Sequence, residues 1–385
     1  MLVEIMSPPD GGNIELVEAI NPQTYHLRIR KDNQSDFFQW FHFRATGVTK
    51  TECKFIIVNA AESAYPDGWQ NYKAVASYDR QTWFRVPTRY DGANLTIAHR
   101  PEHDTVWYAY FAPYYISRHA DLIAHANTHP LTRIRNLGKT LDGQDIDMIE
   151  LGGLEAKEPL NIWIIARQHP GETMAEWWIE GFLDRLLDDD DPVARKLLGM
   201  ARFYIVPNMN PDGSLRGHLR TNAAGVNLNR AWNDPSEETS PEVYWVRKNM
   251  ERLGVDLHLD VHGDEALPYN FLAGFEGIPN LRPGQAEMFE RFKSLYAAAS
   301  PDFQTVHGYP PEAAGTSDLR KCTDWTAERF GCLAMTLEMP FKDNADMPDT
   351  VMGWSPERCK HLARACLDAL LAIGDDLHAY KQQPG

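Results

Sequence analysis

Little in this chain points toward a membrane, nucleic acid or an oxidising compartment. No window approaches the ~18 uninterrupted apolar residues of a membrane span. The opening stretch, MLVEIMSPPDGG, has neither the basic start nor the long apolar run of a secretion signal. Positive charge is in deficit: 38 Lys and Arg against 54 Asp and Glu leave a net charge of −16, which argues against nucleic acid or an anionic membrane as partner. Cysteine is scarce and scattered. Cys53, Cys322, Cys332, Cys359 and Cys366 form no CxxC pair and are odd in number, so reduced thiols in a cytoplasm fit best. Internal repeats and low-complexity segments are absent. What is there is a soluble globular composition, 43% hydrophobic and 24% charged, over 385 residues, enough for two domains.

The first part of the chain, residues 1–114, carries short aromatic and β-branched runs at Leu27–Ile29, Phe37–Phe43, Lys54–Val58, Trp83–Val86 and Val106–Phe111. Turn residues such as Pro66-Asp67-Gly68 and Tyr90-Asp91-Gly92 separate them, the pattern of an antiparallel β-sandwich. Gln39-Trp40-Phe41-His42-Phe43-Arg44 reads as a half-buried strand rather than an aromatic binding face. From Tyr115 to the end, a second domain is expected. It starts with a helix capped by Ser117 and a hairpin over Leu137–Leu151 turning at Asp142-Gly143. Strands are then predicted at Ile162–Ala166, Phe203–Val206, Val255–Val261 and Leu333–Leu337. Helices are predicted at Glu172–Leu187, Pro241–Leu253, Gln285–Ala299 and Pro356–Tyr380. Apolar strands alternating with amphipathic helices imply an α/β domain with a mixed, largely parallel central sheet covered by helices.

Each of the four apolar runs ends in polar residues able to do chemistry, at the end of the sheet where α/β domains bind ligands. The first leads through Ala166-Arg167-Gln168 to His169 and Glu172, with Pro170-Gly171 to bend the chain between them. His-x-x-Glu alone is weak, since about one is expected by chance in such a chain. There are three, the others being His99/Glu102 and His262/Glu265. The second run leads to Asn208 and Asn210-Pro211-Asp212-Gly213, the third to Asp260-Val261-His262-Gly263-Asp264, and the fourth to Glu338-Met339-Pro340. His169, Glu172 and His262 supply three ligands for a catalytic Zn²⁺ with one position open, which leaves Glu338 as general base. A two-metal site could also be drawn from His258, Asp260, His262 and Asp264. The preferred alternative is that His258 faces helices and is hydrogen-bonded, and that Asp260 is a supporting or structural partner. The arginines of Arg216–Asn222 and Gly225–Trp232, in an acidic protein, look like an anion-binding loop.

The ordered set ARQHPGE, NPDG, LNRAW, DVHG and TLEMP, over about 166–340, resembles the zinc metallocarboxypeptidases of the carboxypeptidase A-like family. Within it, the resemblance is to the cytosolic carboxypeptidase subfamily, whose eukaryotic members trim glutamates from protein tails. The β-rich module around QWFHF resembles the one preceding the peptidase domain there. The resemblance implies one zinc held by His169, Glu172 and His262, and Glu338 as base. It makes Arg220 the group that polarises the scissile carbonyl, and Asn229 and Arg230 the pair that holds the substrate's terminal carboxylate. Many members carry an active-site tyrosine about twenty-two residues before the base. That position is Thr316 here, with Tyr309 nearby and unassigned. A second histidine, frequent after the third ligand, is replaced by Gly263-Asp264. Arg320 and Lys321 fall where the specificity pocket should lie and favour an acidic terminal side chain.

The expectation is therefore a cytoplasmic zinc carboxypeptidase acting on peptide or protein C-terminal tails, with a glutamate preference implied by the resemblance. Nucleic acid and membrane are not expected as partners. The rivals are a zinc amidohydrolase that releases an acyl group from a small amino acid, and a non-catalytic binding protein of the same fold.

Overall fold

The computed structural model describes residues 3–153 and 156–382, so the outermost residues of both expected domains lie outside the described set. The N-terminal part folds as two five-stranded sheets. One runs Glu4–Met6, His42–Thr46, Thr105–Ala109, Val75–Ser77, Phe84–Arg85, antiparallel throughout. The other runs Glu15–Asn21, Thr24–Arg28, Cys53–Ile57, Leu95–His99, Thr88–Tyr90. Aromatic rings glue the sheets face to face: Phe43 and Tyr108 of the first lie 5.3 and 5.0 Å from Phe55 of the second. One pair departs from the antiparallel expectation, Thr24–Arg28 with Cys53–Ile57. Between them the chain crosses to the other sheet as His42–Thr46, and such a crossover returns it parallel.

The QWFHF segment is also a correction. Its strand begins only at His42, and Gln39, Trp40, Phe41, His42 and Phe43 are all buried rather than alternating. Polar atoms there find internal partners: Trp40 Nε1 donates to the Gly11 carbonyl at 2.8 Å, and Gln39 Nε2 to the Tyr65 carbonyl and the Tyr110 hydroxyl at 3.0 Å.

The second part is built on a seven-stranded sheet. Its order is Thr132–Lys139, Asp145–Gly152, Ala201–Val206, Leu160–Ala166, Leu257–Asp264, Leu333–Pro340, Phe271–Ala273. The four strands predicted from their apolar runs are the four that lie parallel at its centre; antiparallel strands flank them. Leu257–Asp264 is buried at every position, as a strand covered by helices on both faces must be. Helices Pro241–Leu253 and Gln285–Ala299 have the predicted bounds, and Met174–Leu186 and Pro356–Lys381 differ by a residue or two. The first helix, Ile116–Thr128, does not use Ser117 as its cap. It starts earlier because the Ile116 N–H is satisfied by Asp10 Oδ2 at 3.0 Å, a partner remote in sequence.

The seam between the two parts is polar as well as apolar. Arg85, half-buried, donates to the carbonyls of Lys73, Met352, Phe341, Lys342 and Trp354 at 2.6–3.3 Å. Phe341, just past the strand that carries Glu338, stacks on Tyr110 with ring centroids 4.3 Å apart.

Candidate active site

The carboxyl end of the parallel strands opens into a cavity of about 480 Å³ lined by His169, Glu172, Arg220, Asn229, Arg230 and Glu338, among others. The turn carrying His169 and Glu172 is held from beneath. Arg167 adopts φ 58°, a left-handed conformation costly for a side-chain residue, and is fixed there by hydrogen bonds to the carbonyls of Pro170 and Tyr114 at 2.9 Å and an ion pair with Glu176. Gly171 is required by close approach. Its N–H donates to the Leu219 carbonyl at 2.9 Å, and a Cβ there would stand 3.0 Å from that same oxygen.

Three donors converge. Nδ1 of His169 lies 2.7 Å from Glu172 Oε1, Nδ1 of His262 lies 2.7 Å from Glu172 Oε2, and the two nitrogens are 3.2 Å apart. Two imidazole nitrogens and a carboxylate oxygen at such separations match the donor set of a tetrahedral zinc, whose bonds run ~2.0–2.2 Å. The far nitrogens are already engaged, His169 Nε2 with Asn227 Oδ1 at 3.1 Å and His262 Nε2 with Asp260 Oδ2 at 2.9 Å, which turns each Nδ1 toward the shared point. Asp260 in turn accepts from Gln168 Nε2 at 2.6 Å, and Gln168 Oε1 accepts from Trp232 Nε1 at 2.8 Å. His258 lies deeper on the same strand, its Nε2 3.6 Å from the Cys322 thiol of helix Cys322–Phe330. Among the described residues one group of His, Cys, Asp or Glu side chains converges in this way, and neither His258 nor Asp260 belongs to it.

Glu338 pairs in register with His262 across adjacent parallel strands. Its Oε2 has no hydrogen-bond partner, and Oε1 lies 3.4 Å from the Tyr309 hydroxyl. Burial pushes its carboxyl well above the usual range; His262 pulls the other way, and Glu172 and Asp264 add to the rise. Arg220 reaches the same cavity with its guanidinium 5.4 Å from the Tyr65 ring and 5.6 Å from that of Phe37. That guanidinium makes no hydrogen bond or ion pair with any described residue, so its donors are left for a ligand. On the short turn Leu228–Arg230, Asn229 Oδ1 accepts the Cys322 N–H at 2.8 Å, which leaves its NH₂ unengaged. Arg230 lies only 3.8 Å from Asp318, whose carboxylate is held by two 2.8 Å bonds from Arg320.

The residues flagged for specificity divide. Arg320 is exposed, bound to Asp318, and does not line the cavity; Lys321 does, with Nζ 2.5 Å from Glu312 and 3.1 Å from Asp324. Thr316 is exposed and bonds back to the Ala313 carbonyl at 2.7 Å, whereas Tyr309 lines the cavity and donates to Asp264 Oδ2 at 2.6 Å. Nothing local in the sequence marks Tyr309 over Thr316. Tyr65, contributed by the N-terminal part, was missed altogether, since its place in the cavity comes from packing between the two parts.

The model of the zinc carboxypeptidase family matches residues 119–360, and that of the cytosolic carboxypeptidase N-terminal domain matches residues 5–111. This chain is a member of the zinc carboxypeptidase family. Among solved structures, a metallo-carboxypeptidase from Burkholderia cenocepacia is 48% identical at a TM-score of 0.95, over 97% of this chain and 100% of that one. A Pseudomonas aeruginosa metallo-carboxypeptidase, solved in complex with (2-guanidinoethylmercapto)succinic acid, is 44% identical at a TM-score of 0.94, over 97% and 100%. Mouse cytosolic carboxypeptidase 6 is 28% identical over 69% of this chain, which spans about half, 54%, of that protein. The metallocarboxypeptidase thus has relatives on both sides of the bacterial–animal divide. No helix among the described residues is long and apolar enough to cross a membrane.

Proposed function

We propose that this metallocarboxypeptidase removes the C-terminal residue of peptides or protein tails, with one zinc ion held by His169, Glu172 and His262. One observation carries the proposal: His169 and Glu172 of the three-donor cluster, Glu338 with its unpaired oxygen and Arg220 with its unengaged guanidinium all line one cavity. Zinc, when bound, supplies a Lewis acid for water and the scissile carbonyl. The remaining chemistry belongs to the side chains. Asn229 and Arg230 clamp the terminal carboxylate, one neutral and one charged donor, and so set which bond is presented. Glu338 takes a proton from the attacking water and returns it to the leaving amine. Arg220 donates to the carbonyl oxygen as it gains negative charge. The Pseudomonas relative's ligand, a succinic acid, is a carboxylate compound of the kind such a clamp would hold.

A preference for terminal glutamate rests on Lys321. An incoming side-chain carboxylate would take the place of Glu312, whose side chain is 40% exposed and can leave, while Asp324 stays. Cytoplasmic residence fits five buried cysteines, none in a disulfide. The test is an assay of the zinc-loaded protein against peptides ending in Glu, Asp, Lys, Phe and Ala, and against N-acylated single amino acids, read by mass. Release of single C-terminal residues from peptides is expected, fastest for Glu. Turnover of acylated amino acids alone would replace the carboxypeptidase by an amidohydrolase, and faster release of Lys or Phe would remove the glutamate preference.

A further inference from the structure

We infer that Asp32, in the N-terminal β-domain, is a positioning residue for Arg220, so that this domain completes the catalytic apparatus. The inference rests on the role proposed above for Arg220. Asp32 is 3% exposed and spends both oxygens on the loop that carries the arginine. Its Oδ1 accepts from the Leu219 N–H at 2.7 Å; its Oδ2 accepts from the N–H groups of Arg220 and Thr221 at 2.8 and 2.9 Å and from Thr221 Oγ1 at 3.1 Å. Three successive backbone N–H groups wrapped around one carboxylate fix the φ and ψ angles on either side of Arg220, and with them the direction in which its side chain leaves the chain. The same tight loop supplies a second restraint. Asp32 N–H donates to the Phe37 carbonyl at 2.8 Å, closing a turn that sets Phe37 beside the guanidinium. The neighbouring Asn33 N–H donates to His218 Nε2 at 3.1 Å, tying the arginine's loop to the β-domain at a further point.

The guanidinium itself has no hydrogen bond to any described residue, so only the Tyr65 and Phe37 rings touch it at its own end. Its aim depends on the backbone below and the rings beside it. A donor for a developing oxyanion is useful only if it is already in place, and misplacement by about 1 Å can cost up to ~10²-fold. Asp32 therefore acts on the transition state through Arg220 without touching substrate.

The experiment compares Asp32→Ala, Asp32→Asn and Arg220→Ala on zinc-loaded full-length protein, with active sites counted by titration with a tight phosphonate peptide. In Asp32→Ala, kcat per active site should fall on the order of 10-fold or more while KM and zinc content stay near wild type. Affinity for the phosphonate, which mimics the charged oxygen, should fall by a similar factor. Asp32→Asn keeps one acceptor oxygen and should lie between, and it preserves the test if the alanine variant does not fold. In an Arg220→Ala background, Asp32→Asn should cost little more. A drop only in the number of active sites, with kcat per site and phosphonate affinity unchanged, would make Asp32 merely structural and overturn the inference. So would an equal loss with and without Arg220. An Arg220→Ala variant of normal kcat removes the proposed role of Arg220 and the inference with it, whereas a crippled Arg220→Ala beside a normal Asp32→Asn and Asp32→Ala removes the inference alone.

Discussion

Amidating the C-terminus of a good peptide substrate deletes one negative charge and touches nothing else, so it isolates the clamp proposed for Asn229 and Arg230. The structure says how much should be lost. Arg230 is partly committed to Asp318, but at 3.8 Å, and Arg320 already occupies that carboxylate with two bonds. Burial, and then the neighbouring Arg220, disfavour charge on Arg230, so a bound anion relieves an existing strain of like charges. A hydrogen bond to a charged group is worth ~1.5–3 kcal/mol. The Arg230 side chain is 39% exposed, which argues for the lower half of that range. Asn229 would still find an acceptor in the amide's C=O, and so lose only the charge-assisted part of its bond. Together these give a penalty of about 2–3 kcal/mol, or roughly 30- to 150-fold in kcat/KM. The assay is competition between the free acid and the amide in one tube, resolved by mass. In Arg230→Ala the free acid should fall toward the amide's rate and the discrimination should shrink to a few-fold. Equal cleavage of acid and amide by the wild type would refute exopeptidase action, and undiminished discrimination in Arg230→Ala would move the clamp elsewhere.

Glu338→Gln keeps the side chain's shape but cannot take a proton; zinc should be retained while kcat drops ~10²–10⁴-fold, and activity within a few-fold of wild type would transfer the role to another group, with Asp264 the next candidate. His169→Ala and His262→Ala should each bind zinc far more weakly while melting as folded proteins, because His169 lies past the end of its strand and His262 among the last three residues of its own; full metal content in both would remove the assignment. Outside the cavity lining, His119 lies 2.8 Å from Glu176 and 3.5 Å from Asp147, with Arg167 on the other side of Glu176. Burial opposes its charge, but the two carboxylates outweigh burial and raise its pKa from 6.5 to about 9. The stabilisation this gives is complete below pH 6.5 and fades as pH rises through about 9, an effect on the order of 3 kcal/mol. In His119→Gln the slope of stability against pH across that window should flatten, and identical slopes in variant and wild type in urea melts would contradict the protonated pair.

How much of this could be read from sequence depends on whether the cause was local. The core strands were legible because burial on both faces writes an unbroken apolar run, as in Leu160–Ala166. His169, Glu172, His262 and Glu338 were legible because each lies in the last residues of such a strand or on the turn that follows it, and Arg220, Asn229 and Arg230 because they fall within the arginine-rich loop. Helix Pro211–Arg216 shows in the sequence only as a polar strand end, although Asn210 caps it by accepting the Gly213 N–H at 3.1 Å; six residues are too few to display a periodicity. Tyr309 enters through a loop whose path no local pattern specifies, and it occupies the cavity while Thr316, closer to the expected spacing, turns to solvent. Tyr65 and Asp32 are long-range partners. Neither a turn residue nor a loop aspartate announces that its neighbour lies some 150 residues away or more in the chain.

Arg85 has a consequence for how such proteins can be recombined. Its guanidinium is spent on five main-chain carbonyls, one beside it and four from the segment that follows the Glu338 strand. Carbonyl partners ask nothing of the side chains that carry them. They demand only that the backbone keep its path, so this joint can survive wide sequence drift on the peptidase side as long as the arginine stays. A chimera that takes its β-module from one relative and its peptidase from another should therefore assemble when the donor module brings an arginine at this place. A module lacking it would leave four partly buried carbonyls without this donor, and such a hybrid should accumulate in cells as insoluble chain even when each half comes from a stable parent.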